Sequence, residues 1–284
     1  MSTARRMWQL IEPLHAVSYF TPEARSAYDD AGLRGFWMGY VAGRVAPLGP
    51  VPPAVATALF YGFHPDRAAR ALPDAWEFAD PEQVLAARLA GATAALDRML
   101  DRDVTEAADL LWPAARAAPS AGRALGAANQ ALPEPDDPLA RLWQATTTLR
   151  ELRGDGHVAA LVANDVDPIA SHLLKAAAGE SDGAWLQKAR SWGDDDWAAA
   201  TERVRARGWL EADGQLTDAG ASVRDRVEAQ TDAAAAGPWE AIGPERTRRL
   251  SGLLQPLVSE VLESGTLPRI NPIGLVVSEV SEQE

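Results

Sequence analysis

Apolar residues recur along the chain at spacings of three and four in a background of Ala and Leu, with Val, Ile and Thr thinly spread. That pattern predicts helices nearly throughout. Two helix starts carry full N-terminal signals. Thr21-Pro22-Glu23 supplies an oxygen cap, a proline at the first helical position and an acid near the positive end of the helix dipole. Asp80-Pro81-Glu82-Gln83 repeats the arrangement ahead of Val84, Leu85, Leu89 and Leu96, towards Leu100. Between them Leu33 to Val45 reads as a helix stopped by Pro47-Leu48-Gly49-Pro50. Ala54 to Phe63 reads as a buried helix ending before Pro65.

The run Ala131 to Pro138 holds three prolines and three acids, which excludes regular structure and marks a linker. It predicts a helical N-terminal domain over 1–133, a second domain over 139–265 and a tail over 266–284. After the linker Leu139 to Arg153 is amphipathic. Gly154-Asp155-Gly156 then reads as a break, with a new helix starting around His157.

From Trp185 the order is a short helix to Arg190, a turn at Ser191-Trp192-Gly193 and a helix from Asp194 to Arg207 stopped by Gly208. Trp209-Leu210-Glu211-Ala212 and Gln215-Leu216-Thr217 flank Asp213-Gly214 as a small β-hairpin. Two long helices follow, Ala219 to Ala235 and Pro244 to Leu262, which either fold back or pair with another chain. Helix, turn, helix and hairpin is the layout of a winged helix. Arg207-Gly208-Trp209-Leu210 followed by Leu216-Thr217-Asp218-Ala219-Gly220 is similar to the corresponding run of MarR-type winged-helix proteins, over residues 157 to 234. The phrases Leu14-His15-Ala16-Val17, Arg34-Gly35-Phe36-Trp37, Gly43 to Gly49 and Arg153 to Leu161 resemble a family of actinobacterial helix-turn-helix domain proteins of about this length. The first resemblance implies a winged-helix-like C-terminal domain; the second implies a fold and a lineage, and carries no reaction with it. The expected fold is therefore mainly α, a helical N-terminal domain plus a winged-helix-like domain with one small hairpin.

Charge changes what such a domain is expected to do. The 284 residues carry 27 Lys and Arg against 40 Asp and Glu, a net charge of −13, so the field of the whole molecule repels phosphate backbones. The turn that would enter a DNA groove is Asp194-Asp195-Asp196, and the hairpin tip has no Lys or Arg. Arg203, Arg205 and Arg207, like Arg246, Arg248 and Arg249, stand beside acids and read as solvated faces. Duplex DNA is not expected as a partner. No apolar run is long enough to span a bilayer and no secretion signal is read, which predicts a cytoplasmic protein without a membrane partner. The absence of cysteine removes disulfides, thiolate nucleophiles and zinc–thiolate sites.

The candidate chemistry is sparse. His157 is the candidate catalytic residue: at a helix start capped by Asp155, the dipole would keep its imidazole neutral and able to ligate or act as a base. Glu12 and His15 are three apart on a helix, as carboxylate-supported metal sites require, and His64 sits where a helix ends. His15, His64 and His157 are weak metal candidates only, and no cofactor is indicated. Arg34, Trp37, Tyr40 and Arg44 share one side of a helix, beside Gly35, Gly39 and Gly43. They either line a pocket for a flat or anionic ligand, with Tyr61, His64 and Asp155, or pack a tight helix crossing with the arginines reaching linker acids such as Asp136 and Asp137. The leading functional expectation is a small-molecule-binding protein, conceivably an enzyme of specialised metabolism, on a winged-helix scaffold that no longer reads DNA. A ligand-responsive transcriptional regulator is the competing one, and an interaction module the third.

Overall fold

Several helices begin at an oxygen cap, supplied by Ser2, Thr21, Asp80, Asp137, Asp167, Asp182 and Thr217. The computed structural model describes residues 1–268. It opens with α1 (Thr3–Phe20), α2 (Pro22–Asp30), α3 (Gly35–Val45), α4 (Pro53–Phe60), α5 (Pro65–Ala69) and α6 (Ala75–Phe78). Then come α7 (Pro81–Met99), α8 (Thr105–Ala117), α9 (Ala124–Gln130), α10 (Pro138–Ala163) and α11 (Pro168–Ala177). α12 (Gly183–Arg190), α13 (Asp194–Ala206), α14 (Asp218–Ala234) and α15 (Gly237–Glu263) complete the described residues, which are mainly helical. Thr21 caps α2 by accepting from the Ala24 amide, and Asp80 and Gln83 close a reciprocal capping box on α7. α4 is shorter than expected and only partly buried, with Ala56 and Phe60 its buried residues. It stops because Tyr61 takes a left-handed φ of 50°.

α10 is the axis of the molecule. It packs against α8, α9, α14, α1 and α7, and from Leu142 to Leu149 every residue is buried. The amphipathic reading of this stretch fails because its polar face meets buried partners rather than water. Thr146 and Thr148 donate to the carbonyls of Trp143 and Gln144, Thr147 pairs with His15, and Gln144 accepts from Arg88.

The expected break at Gly154-Asp155-Gly156 is also absent, since α10 runs through it to Ala163. Gly156 serves close approach inside the helix, whereas Gly154 has room for a side chain. A Cβ on Gly156 would lie 3.1 Å from Ala234 of α14, and one on Gly154 would face the side chains of Arg150 and Glu151. Asp155 therefore caps no new helix; it accepts from the Gly126 amide at the start of α9.

The largest core cluster joins α1, α7 and α8 to Leu142–Leu152 of α10 and to Leu250, Leu254, Leu257, Val258 and Val261 of α15, so it draws on both sides of the 131–137 loop. α15 folds back on α8 and α1 and bends at Gly243, whose φ of 81° leaves the helix beyond it to begin at Pro244. Of the expected tail, 269–284 lies outside the described residues. The expected β-hairpin is reduced to one antiparallel bridge, Leu210 to Leu216, and the described residues contain no strand. The bridge is flanked by backbone bonds from the Glu211 N–H to the Gln215 carbonyl at 2.9 Å and from the Thr217 N–H to the Trp209 carbonyl at 3.1 Å, and pairing goes no further because α14 begins at Asp218, its Gly220 amide donating to the Thr217 side chain.

Gly39 and Gly43 do permit a tight helix crossing: a Cβ on Gly43 would lie 2.0 Å from the hydroxyl of buried Tyr28. Gly43→Ala is expected to lower the melting temperature by several degrees, from about 1–3 kcal/mol of overpacking. Gly252, exposed on α15 with open space at its Cβ position, should respond oppositely, Gly252→Ala stabilising by up to about 1 kcal/mol. Thermal denaturation of both variants checks the pair of signs.

Candidate functional site

A cavity of about 370 Å³ opens where α1, α3, the 59–63 segment, α10, α11 and α12 meet. One wall is aromatic: Phe36, Trp37, Tyr40, Phe60 and Phe63 make a chain of ring contacts with centroids 5.0–6.1 Å apart. Phe36 and Trp185 are among the few large apolar side chains left exposed, and both line this cavity.

The opposite wall is charged and comes from α10. Arg44 of α3 reaches across to Glu151 in a bidentate pair, Nε to Oε1 at 2.9 Å and Nη2 to Oε2 at 2.8 Å, and donates from Nη1 to the Tyr40 hydroxyl at 3.0 Å. Its guanidinium stacks 4.3 Å from the Phe60 ring. Arg150 Nη1 donates to Glu151 at 2.8 Å, and its Nε lies 3.6 Å from Glu12, which accepts from the Trp8 indole. Burial pushes the Glu151 carboxyl up, but Arg150 and Arg44 outweigh it and hold the group well below the usual carboxylate range.

Six of the expected site residues line this one cavity: Trp37, Tyr40, Arg44, Tyr61, Asp155 and His157. Two do not. Arg34 precedes α3 without a side-chain cap bond and lies over the Phe78 ring at 4.1 Å, and His64 caps α5 by accepting from the Asp66 amide, its ring edge-on to Trp192. The partner of Arg44 is Glu151; Asp137 of the linker instead caps α10. His15 is buried with both ring nitrogens bonded, to Thr147 at 2.9 Å and Tyr19 at 2.8 Å. Among the described residues no three His, Asp or Glu side chains converge as a metal site.

His157 sits within α10, so a helix start does not act on it. Burial lowers its pKa to about 4. The Thr231 hydroxyl donates its only proton to the Val227 carbonyl, so the 2.9 Å contact with His157 Nδ1 requires that Nδ1 carry the proton. Nε2 is left as an unprotonated lone pair. His172 donates from Nε2 to the Gly62 carbonyl at 2.8 Å, and burial lowers its pKa to about 3. The same carbonyl accepts from the Trp192 indole.

Sequence reasoning missed Lys175 and Arg190. Lys175, on α11, lines the cavity and makes no hydrogen bond or ion pair among the described residues; burial, then the charge of Arg190, lowers its pKa to about 8. Arg190 ends α12, bonds Tyr40 and stacks 4.3 Å from Phe63. A signal for Lys175 was present: the chain has two lysines, Lys175 and Lys188, beside 25 arginines.

The sequence profile of a family described as a helix-turn-helix family matches residues 4–268. No curated protein and no solved structure matches the chain.

The two histidines set an acid limit. Each is neutral when folded, whereas the unfolded chain takes up a proton as pH falls through the ordinary value of 6.5. Stability is therefore expected to fall from pH 6.5 down to about 4 for His157 and about 3 for His172, by up to about 1.4 kcal/mol per pH unit for each. Melting temperatures across that window, with His157→Gln showing a shallower slope than the parent, check it.

Proposed function

The chain belongs to this helix-turn-helix family, and from that premise we propose that it is a small-molecule-binding protein whose ligand has a flat aromatic or polyene body and an oxygen-bearing polar end. The observation that carries this reading is the make-up of the cavity. Its aromatic wall faces four cationic side chains, Arg44, Arg150, Lys175 and Arg190, against two carboxylates, Glu151 and Asp155. In a chain of net charge −13, that local excess of positive charge favours an anionic or carbonyl oxygen. Lys175 supplies an uncommitted donor, Phe36 and Trp185 frame the mouth, and Glu151 holds Arg44 and Arg150 in place.

α12, the turn at Ser191 and α13 form a helix-turn-helix, and here the scaffold serves the pocket. α13 starts with Asp194, Asp195 and Asp196. Arg203, Arg205 and Arg207 are paired with Asp167, Glu202 and Asp165, which leaves little charge for phosphates. The second reading, a ligand-responsive transcriptional regulator of winged-helix type, is favoured by one observation. Trp185, Ala189 and Arg190 of α12 line the cavity, so an occupant would touch the helix-turn-helix directly. No helix among the described residues is long and apolar enough to cross a membrane.

Naphthoate is the first probe. It should raise the melting temperature and quench tryptophan fluorescence, while naphthalene methanol, of the same body without the charge, binds more weakly by roughly tenfold, as loss of a charged hydrogen bond implies. A duplex DNA titration at physiological salt should show no sub-micromolar binding. Tight binding with a steep salt slope would replace the first reading with the second.

A further inference from the structure

A second cavity of about 350 Å³, lined by Arg5, Trp8, Glu12, Arg153 and Glu228 among others, lies against the first. The two share Arg150, Gly154, His157, Leu161, Ser171 and Lys175 as common lining. Lys175 thus stands at a junction reached from an apolar chamber on one side and a polar chamber on the other. It is uncommitted among the described residues, unlike Arg44, Arg150 and Arg153, which are ion-paired. From this placement we infer that Lys175 is a condensing amine that captures the ligand of the aromatic chamber through a conjugated aldehyde or ketone, as an imine. The inference rests on the cavity being a ligand site and names the class of its polar end.

The chemistry balances without an added oxidant or reductant. The Lys175 Nζ lone pair attacks the carbonyl carbon, the C=O π pair moves to oxygen, and the carbinolamine forms once a proton passes from nitrogen to that oxygen. Loss of the hydroxyl as water then gives the C=N bond, with one carbonyl compound and one amine consumed and one water released. His157 lines the same junction with its Nε2 lone pair open, a station for the proton between nitrogen and the departing oxygen. The polar chamber gives the released water a way out. Burial and the neighbouring Arg190 keep a useful fraction of the Lys175 side chain as free amine near neutral pH.

The chain contains its own control, since Lys188 is exposed on α12. The full-length protein is treated with naphthaldehyde and cyanoborohydride at neutral pH, and the adducts are mapped by peptide mass spectrometry. Lys175 is expected to be trapped roughly tenfold or more faster than Lys188, with naphthoate competing and His157→Gln slowing the reaction. Lys175→Met should lose that adduct while keeping its melting temperature. Equal labelling of Lys175, Lys188 and the terminal amine, in a protein that still binds naphthoate, overturns the imine and leaves the binding site standing. Equal labelling in a protein that binds neither naphthoate nor naphthalene methanol overturns both.

Discussion

Arg44 and Glu151 form a bidentate ion pair in a place almost closed to water, and most of the structure around the cavity follows from keeping both charges satisfied. Desolvating either ion alone costs several kcal/mol, and mutual attraction repays it only with good geometry and further hydrogen bonds. The further bonds are present: Tyr40 accepts from Arg44 and Arg150 donates to Glu151, while Glu12, held by the Trp8 indole, stands as a counter-charge 3.6 Å from Arg150. That chain ties α3 and α1 to α10, so the aromatic wall carried by α3 is held at a set distance from the charged ridge of α10. Gly39 and Gly43, pressed against Tyr28, fix the other face of α3. Between these two constraints α3 has little freedom to close the space.

The space that remains joins the helix-turn-helix to the N-terminal helices. Arg190 lines the cavity, and its carbonyl accepts from the His64 amide at 3.0 Å. The next two residues are held by Arg67, bonded to the Ser191 hydroxyl, and by the Gly62 carbonyl, which receives Trp192. The turn that would orient a DNA-reading helix is thus moored to the 60–67 segment, whose residues 60 to 63 form part of the cavity wall. A helix-turn-helix moored this way forms part of the cavity wall, with the exposed Trp185 among its lining residues.

Local chemistry made the capped helices legible. Thr21 and Asp80 announce α2 and α7 by side chains that act within one turn, and the turn at Ser191 is bounded by helices that the periodicity gives. Trp37, Tyr40 and Arg44 group by helical spacing, whereas Asp155 and His157 line the same cavity from the middle of α10 and not from the helix start that the two glycines suggest. What could not be read depends on distant partners. Gly154 and Gly156 look like a break until the packing of α14 shows Ala234 pressed against Gly156. His64 and Arg34 look like pocket residues until Asp66 and Phe78 engage them. Lys175 escaped notice because a lone lysine in an amphipathic helix reads as solvated, although its rarity here was a usable sign.

The account turns on the Arg44–Glu151 pair as the strut of the cavity, and a double-mutant cycle measures it most directly. Arg44→Met, Glu151→Met and the double variant, unfolded in denaturant, give the coupling energy. Glu151→Met strands two buried arginines and should cost about 3–5 kcal/mol, Arg44→Met leaves Glu151 still paired with Arg150 and should cost less, and the double change relieves the Arg44 charge and recovers part of the loss, for a coupling above about 2 kcal/mol. Single losses that add to within about 0.5 kcal/mol would contradict the account.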